Sequence, residues 1–107
     1  MPERKKRLEA LFRNLAGDFL KTHGVKTAVI TVTGCDLRKD LGGAVVRVSI
    51  YPEIEEGEVL RKLEALSGRL RSFINSQTKM RTVPRFTFIA DSGEKNRNRI
   101  DELLDTL

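Results

Sequence analysis

The apolar residues of this chain change period along its length, and that change dictates what it can fold into. Leu8, Phe12, Leu15 and Phe19 recur every three or four residues, which predicts one apolar stripe on a helix over residues 3–22, stopped by Gly24. Residues 27–33 alternate instead, with Ala28, Ile30 and Val32 on one face of a predicted strand and Thr27, Val29, Thr31 and Thr33 on the other. The alternation slips at Gly34, after which Cys35 and Leu37 carry the apolar character. One extra residue there predicts a β-bulge. A polar stretch ending in Gly42 and Gly43 turns the chain into a second strand over residues 44–51, which Pro52 ends. Helical spacing then returns in Val59, Leu63, Leu66, Leu70 and Phe73, behind glutamates that suit the positive end of a helix dipole. A third strand is predicted over residues 85–90, with Phe86 and Phe88 on one face. Ile100, Leu103, Leu104 and Leu107 predict a short final helix.

The resulting order is helix, strand, strand, helix, strand, then a short helix. It predicts an α+β fold of two layers, a three-stranded sheet covered by helices on one face. Thr31, Thr33, Arg47 and Ser49 are expected on the uncovered face. At 107 residues the chain supports one core rather than two, so residues 1–107 are expected to form a single domain. Its apolar runs are only a few residues long, and its first residues lack the apolar centre of a secretory signal. A cytoplasmic protein without a membrane segment is expected.

Catalytic apparatus is sparse. Cys35 is the one cysteine and His23 the one histidine, so neither an internal disulfide nor a Cys/His zinc site is expected, and no cofactor is implied. His23, at a helix end, is expected to cap carbonyls, and Cys35, without an evident histidine partner, to be a packed thiol. No phosphate-binding loop of the Gly-x-x-x-x-Gly-Lys-Ser/Thr type occurs. The chain is therefore read as a non-enzyme.

Charge is more informative. The net charge is +5, but residues 69–99 alone carry +6, from Arg69, Arg71, Lys79, Arg81, Arg85, Lys95, Arg97 and Arg99 against Asp91 and Glu94. A second cluster, Arg4, Lys5, Lys6 and Arg7, opens the chain. Concentrated positive charge suits a polyanion, because each neutralised phosphate releases condensed counterions. Arg69, Arg71, Lys79, Arg81 and Arg85 are the expected RNA contacts, since a guanidinium can bond phosphate through two parallel N–H groups. Lys5, Lys6 and Arg7 are secondary candidates. A solvated face, pairing with the glutamates of residues 55–64, or an acidic protein partner would account for the same charges.

Three segments resemble the ribosome-binding factor A family, and together they span nearly the whole chain. The first is Ile30-Thr31-Val32-Thr33, then Asp40-Leu41 and Ala44-Val45-Val46-Arg47-Val48-Ser49, similar to that family's threonine-rich hairpin, Asp-Leu turn and Val-x-Val-Ser strand. The second is Ser67-Gly68-Arg69-Leu70-Arg71, similar to its Ala-x-Gly helix kink. Arg81-Thr82-Val83-Pro84-Arg85-Phe86-Thr87-Phe88 with Asp91-Ser92 is the third and most specific, similar to its Arg-x-Val-Pro-x-Leu-x-Phe and Asp-Ser ending. The chain departs from the pattern in having Leu66 where the kink usually has alanine, and Arg38 where a serine usually precedes the turn.

What the resemblance implies is a type II KH-like RNA-binding domain with its second helix kinked at Ser67 and Gly68. It further implies a monomer that binds the small ribosomal subunit through 16S rRNA and assists 5′-end maturation, with prominence at low temperature. Ordinary KH domains clamp single strands with a Gly-x-x-Gly loop, which this chain lacks between its helices. Distributed arginines and lysines on folded RNA are therefore expected instead. The kink is expected to give Gly68 a left-handed conformation or a tight backbone contact, so Gly68→Ala is expected to destabilise the fold and to lose subunit binding.

Overall fold

The computed structural model describes residues 2–92 and 97–107; Glu94 and Lys95 of the basic window lie outside them. Its elements run α1 (Pro2–His23), β1 (Val29–Leu37), β2 (Gly43–Tyr51), a 3-10 turn (Glu53–Glu55), α2 (Glu56–Ala65), α3 (Ser67–Gln77), β3 (Arg85–Ala90) and α4 (Arg97–Thr106). The sheet order is β1-β2-β3, with β2 antiparallel to β1 and parallel to β3. Parallel pairing requires the chain to cross over between β2 and β3, and α2 and α3 make that crossover. None of the described helices is long and apolar enough to cross a membrane.

The expected bulge is present. Pairing with β2 shifts register between Val32 and Gly34 and then resumes as Gly34↔Arg47 and Cys35↔Val46. The first strand therefore does not end at residue 33, as its alternation suggests, but runs on to Leu37. The extra residue changes which side chains face inward, so Ile30 and Val32 before it and Cys35 and Leu37 after it all join one core. The hairpin then turns through Leu41, whose φ of 63° is left-handed, while Asp40 Oδ1 accepts from the Gly42 amide at 2.9 Å.

α1 packs over β1, and α2 and α3 pack over β3. Beneath them lie Phe12, Phe19, Leu63, Leu70, Ile74, Phe86 and Phe88, all buried. The Phe12 ring meets Phe86 edge-on at 5.6 Å, and Phe73 reaches Phe19 at 5.7 Å. α4 differs from these three helices. It lies on the opposite sheet face, where Ile100 and Leu104 bury against Val45 and Ile89. The final helix thus adds a partial cover to a face expected to be bare.

The second helix is interrupted at Leu66, whose φ of −92° and ψ of −3° separate α2 from α3. The Leu66 amide donates to Leu63 O at 2.9 Å, and the Ser67 hydroxyl to Glu64 O, so the break leaves local partners for both ends. Ser67 and Gly68 open α3. Gly68 has no left-handed φ, and a Cβ added to it would meet nothing within 4 Å. The two conditions under which alanine should destabilise this position are both absent, so that expectation is reversed.

Candidate nucleic-acid interface

The basic side chains are presented by three elements. In α3, Leu70 is fully buried, and a rise of about 100° per residue sets Arg69 and Arg71 on opposite flanks of it. Residues 78–84 carry Lys79 and Arg81, and β3 opens with Arg85; all five side chains are exposed. The loop is not free, because Val83 and Pro84 are buried beneath it. Arg71 Nε also donates to Val83 O at 3.1 Å. One guanidinium thereby ties α3 to the loop.

That tie brings two of the expected contacts together. Arg71 and Arg81 line one open cleft, whose other walls are Ser72, Asn75, Thr82 and Val83. A phosphate entering it would meet two guanidiniums and three neutral hydrogen-bonding side chains, Ser72, Asn75 and Thr82. Arg69 does not line this cleft, nor do Lys79 or Arg85. Lys5, Lys6 and Arg7 stand in the first turns of α1, with Lys6 and Arg7 exposed and Lys5 half-buried, and they do not line it either.

Among the described residues, none of Arg69, Arg71, Lys79, Arg81 and Arg85 forms an ion pair, and on the acidic surface Glu58 and Glu64 have other partners. Glu58 pairs with Arg61. Glu64 accepts from the Thr87 hydroxyl at 2.8 Å and from the Phe88 amide at 3.5 Å. These arginines keep their charge available to solvent.

Phe86 and Phe88 are core residues, 4% and 7% exposed, and offer no stacking surface. His23 stacks on Phe19 at 4.2 Å and its Nδ1 lies 3.1 Å from the Phe19 carbonyl, a helix-end role. Cys35 is buried, and that burial, then the neighbouring Asp36 and Glu9 carboxylates, push its thiol far above the usual range, away from the reactive thiolate.

A polar network on the α4 face was not foreseen. Arg47 Nε donates to Asp36 Oδ2 at 2.8 Å, Arg97 Nη2 reaches Asp36 Oδ1 at 3.4 Å, and Arg47 Nη1 lies 3.7 Å from Asp91. Asp91 also accepts from the Thr33 hydroxyl at 2.6 Å. Arg47, expected on a bare face, is thus half-buried in a network joining the bulge, β2, the end of β3 and α4. The one signal for it in the sequence is Gly34. A Cβ there would sit 2.0 Å from the Arg47 guanidinium, so the glycine leaves the path that Arg47 takes to Asp36.

A family model described as ribosome-binding factor A matches residues 4–104. The chain belongs to that family. Its relatives include the ribosome-binding factor A of Prochlorococcus marinus, 33% identical over 97% of this chain and 77% of the relative. That of Natranaerobius thermophilus is 34% identical over 94% of this chain and 79% of the relative. Among solved structures, ribosome-binding factor A from Thermus thermophilus superposes with a TM-score of 0.73 at 29% identity, covering 80% of this chain and 93% of that one. A Thermus thermophilus ribosome-binding factor A fitted into a cryo-EM map of its complex with the 30S subunit gives 0.69 at 28% identity, over 78% and 90%. The three-stranded mixed sheet with its packed helices is therefore the fold of ribosome-binding factor A.

Proposed function

We propose that this chain is a monomeric, single-domain cytoplasmic binding protein that associates with the small ribosomal subunit through 16S rRNA and assists 5′-end maturation, with greatest weight at low temperature. It acts by binding, without a catalytic step. Family membership supports the ribosomal partner, and so does the 30S complex of the Thermus relative. The observation that carries the RNA contact is the convergence of Arg71 and Arg81 on one open cleft, with neither guanidinium ion-paired.

Folded RNA presents phosphates that arginines on separate elements can follow, whereas a splayed single strand needs a glycine-lined loop that this chain lacks between its helices. Arg71 and Arg81 are the central contacts. Arg69, Lys79 and Arg85 extend the positive surface around the cleft, and Lys5, Lys6 and Arg7 add a weaker one on α1.

Co-sedimentation with immature and mature small subunits tests the reading. Reversing Arg71, Arg81 and Arg85 to glutamate should remove most association with immature subunits, while the same change at Lys5 and Lys6 should have a smaller effect. Arg71→Glu also loses the bond to Val83 O, at a cost of about 1 kcal/mol. The Arg81→Glu, Arg85→Glu pair separates binding from folding. If that pair melts normally and pellets normally, the cleft is not the RNA-binding face; a larger loss from α1 would move the site there.

A further inference from the structure

α4 packs on the second sheet face over Val45 and Ile89, while at the far end of β2, among the described residues, Val29 and Tyr51 stay exposed. β3 pairs with β2 only as far as Val48, so residues 49–51 have β1 alone beside them. There Val29 and Tyr51 are cross-strand partners, 67% and 75% exposed, and Ile54 follows at 90%. Among the described residues the only other exposed large hydrophobic is Leu11, on α1. An apolar cluster this exposed on a small protein marks a place where something docks.

Beside it runs an open groove of about 820 Å³ between the end of β2, the start of α2 and α4. Ile50, Tyr51, Leu60 and Leu103 supply its apolar wall, and Glu53 and Glu56 its rim. Neither glutamate has a cationic partner among the described residues. The two other charged lining residues are Asp91, already close to Arg47, and Arg99. Glu55 and Glu58 continue the acidic character along the chain, although Glu58 is paired with Arg61.

We infer that this end of the sheet is a second docking surface, which takes a lysine- or arginine-rich protein segment carrying an apolar anchor. The apolar side chain seats against Tyr51, Ile54 and Leu60, and the cations meet Glu53 and Glu56. Other occupants fit worse. Unpaired carboxylates repel RNA phosphates and anionic lipid headgroups alike. A two-fold pair of this chain would set each acidic rim against its own copy. The segment's source rests on the subunit-binding reading: proteins that neutralise rRNA phosphates do so with lysine and arginine, so an assembling subunit offers such segments. Arg85 pairs with Gly43 at one end of β2 and Tyr51 lies at the other, about 26 Å away at the rise of an extended strand. That separation lets RNA and a protein segment be held at once.

The test is an NMR titration of the isotopically labelled protein with a synthetic peptide of alternating lysine and leucine, with a glutamate–leucine peptide as the control of sign. Saturable shifts are expected at Tyr51, Ile54, Leu60 and Leu103 with the basic peptide alone, despite the protein's own charge of +5. Glu53→Gln with Glu56→Gln should weaken that binding by about tenfold, and Tyr51→Ala by a similar factor. Both variants change exposed or part-exposed side chains, and unchanged circular-dichroism melts will show that they fold. Their affinity for a structured rRNA fragment should be that of the wild type. Absent shifts, equal shifts with the acidic peptide, or indifference to the two glutamines would overturn the inference. So would RNA shifting Tyr51 in place of Arg81, or a dimer in sedimentation that Tyr51→Ala dissolves. Loss of the RNA arm alone, with the peptide arm intact, would instead sink the RNA reading and leave the groove.

Discussion

Gly34 carries more of this fold than its size suggests. The bulge it sits in turns Cys35 and Leu37 inward, and the space it leaves lets Arg47 cross to Asp36. The guanidinium end of an arginine normally moves aside cheaply, but here Asp36 and Asp91 hold it. Gly34→Ala should therefore cost about 1–3 kcal/mol, the range for breaking a part-buried ion-pair network. In an Arg47→Ala background the same change should cost much less, because nothing then occupies the site of the new methyl. Urea denaturation of the four proteins of this cycle measures the coupling. Equal costs in both backgrounds would mean that the backbone, and not Arg47, demands the glycine.

Elements join here through short irregularities whose purposes differ. The Leu66 break lets one apolar stripe serve two helices, with Val59 and Leu63 on α2 and Leu70 and Ile74 on α3 all buried. Gly68 stands just inside the second of these, facing open space in an ordinary helical conformation. Replacing it with alanine should stabilise the protein by about 0.5–1 kcal/mol, because the unfolded chain loses freedom and the helix loses nothing. A rise in the urea midpoint at unchanged slope is the expected readout; a fall would reveal a constraint at this glycine beyond φ and space. Subunit binding by this variant, assayed well below its melting temperature, bears on a separate question: whether RNA approaches the α3 backbone closely enough for a methyl to block it. The β3 edge shows another device. Glu64 accepts from Thr87 and Phe88 along it, which places a carboxylate where another strand would pair.

The whole molecule separates its charges. A net +5 spread evenly would serve solubility, but here arginines gather near the start of β3 while unpaired glutamates and exposed apolar side chains gather near the end of β2. Affinity for an rRNA fragment should fall with salt at a log–log slope of about −3 to −6, as a few phosphate contacts each release somewhat less than one counterion. Fluorescence anisotropy across a salt series checks this, and a flat dependence would rule out binding dominated by phosphates. The Arg81→Glu, Arg85→Glu pair should make the slope shallower by about 2.

Period and punctuation in the sequence determined the order of strands and helices, the core-facing Phe86 and Phe88 of β3 and the bulge at Gly34, because each of these is local; the break in the second helix was legible only through the family resemblance, which set it at Ser67 and Gly68, just past Leu66. Apolar spacing follows helix or strand geometry, and glycine and proline act within a few residues. The motifs from Ile30 to Ser92 carried the family as well. Charge composition pointed to the basic window but could not say which cations share a surface. Only folding placed Arg71 against the loop and in one cleft with Arg81, and only folding moved α4 to the second sheet face. The network of Arg47, Asp36, Asp91 and Arg97 and the groove at Tyr51 depend in the same way on residues far apart in the chain. Contacts between distant residues are set by how layers stack and where a crossover returns, and no local period encodes that.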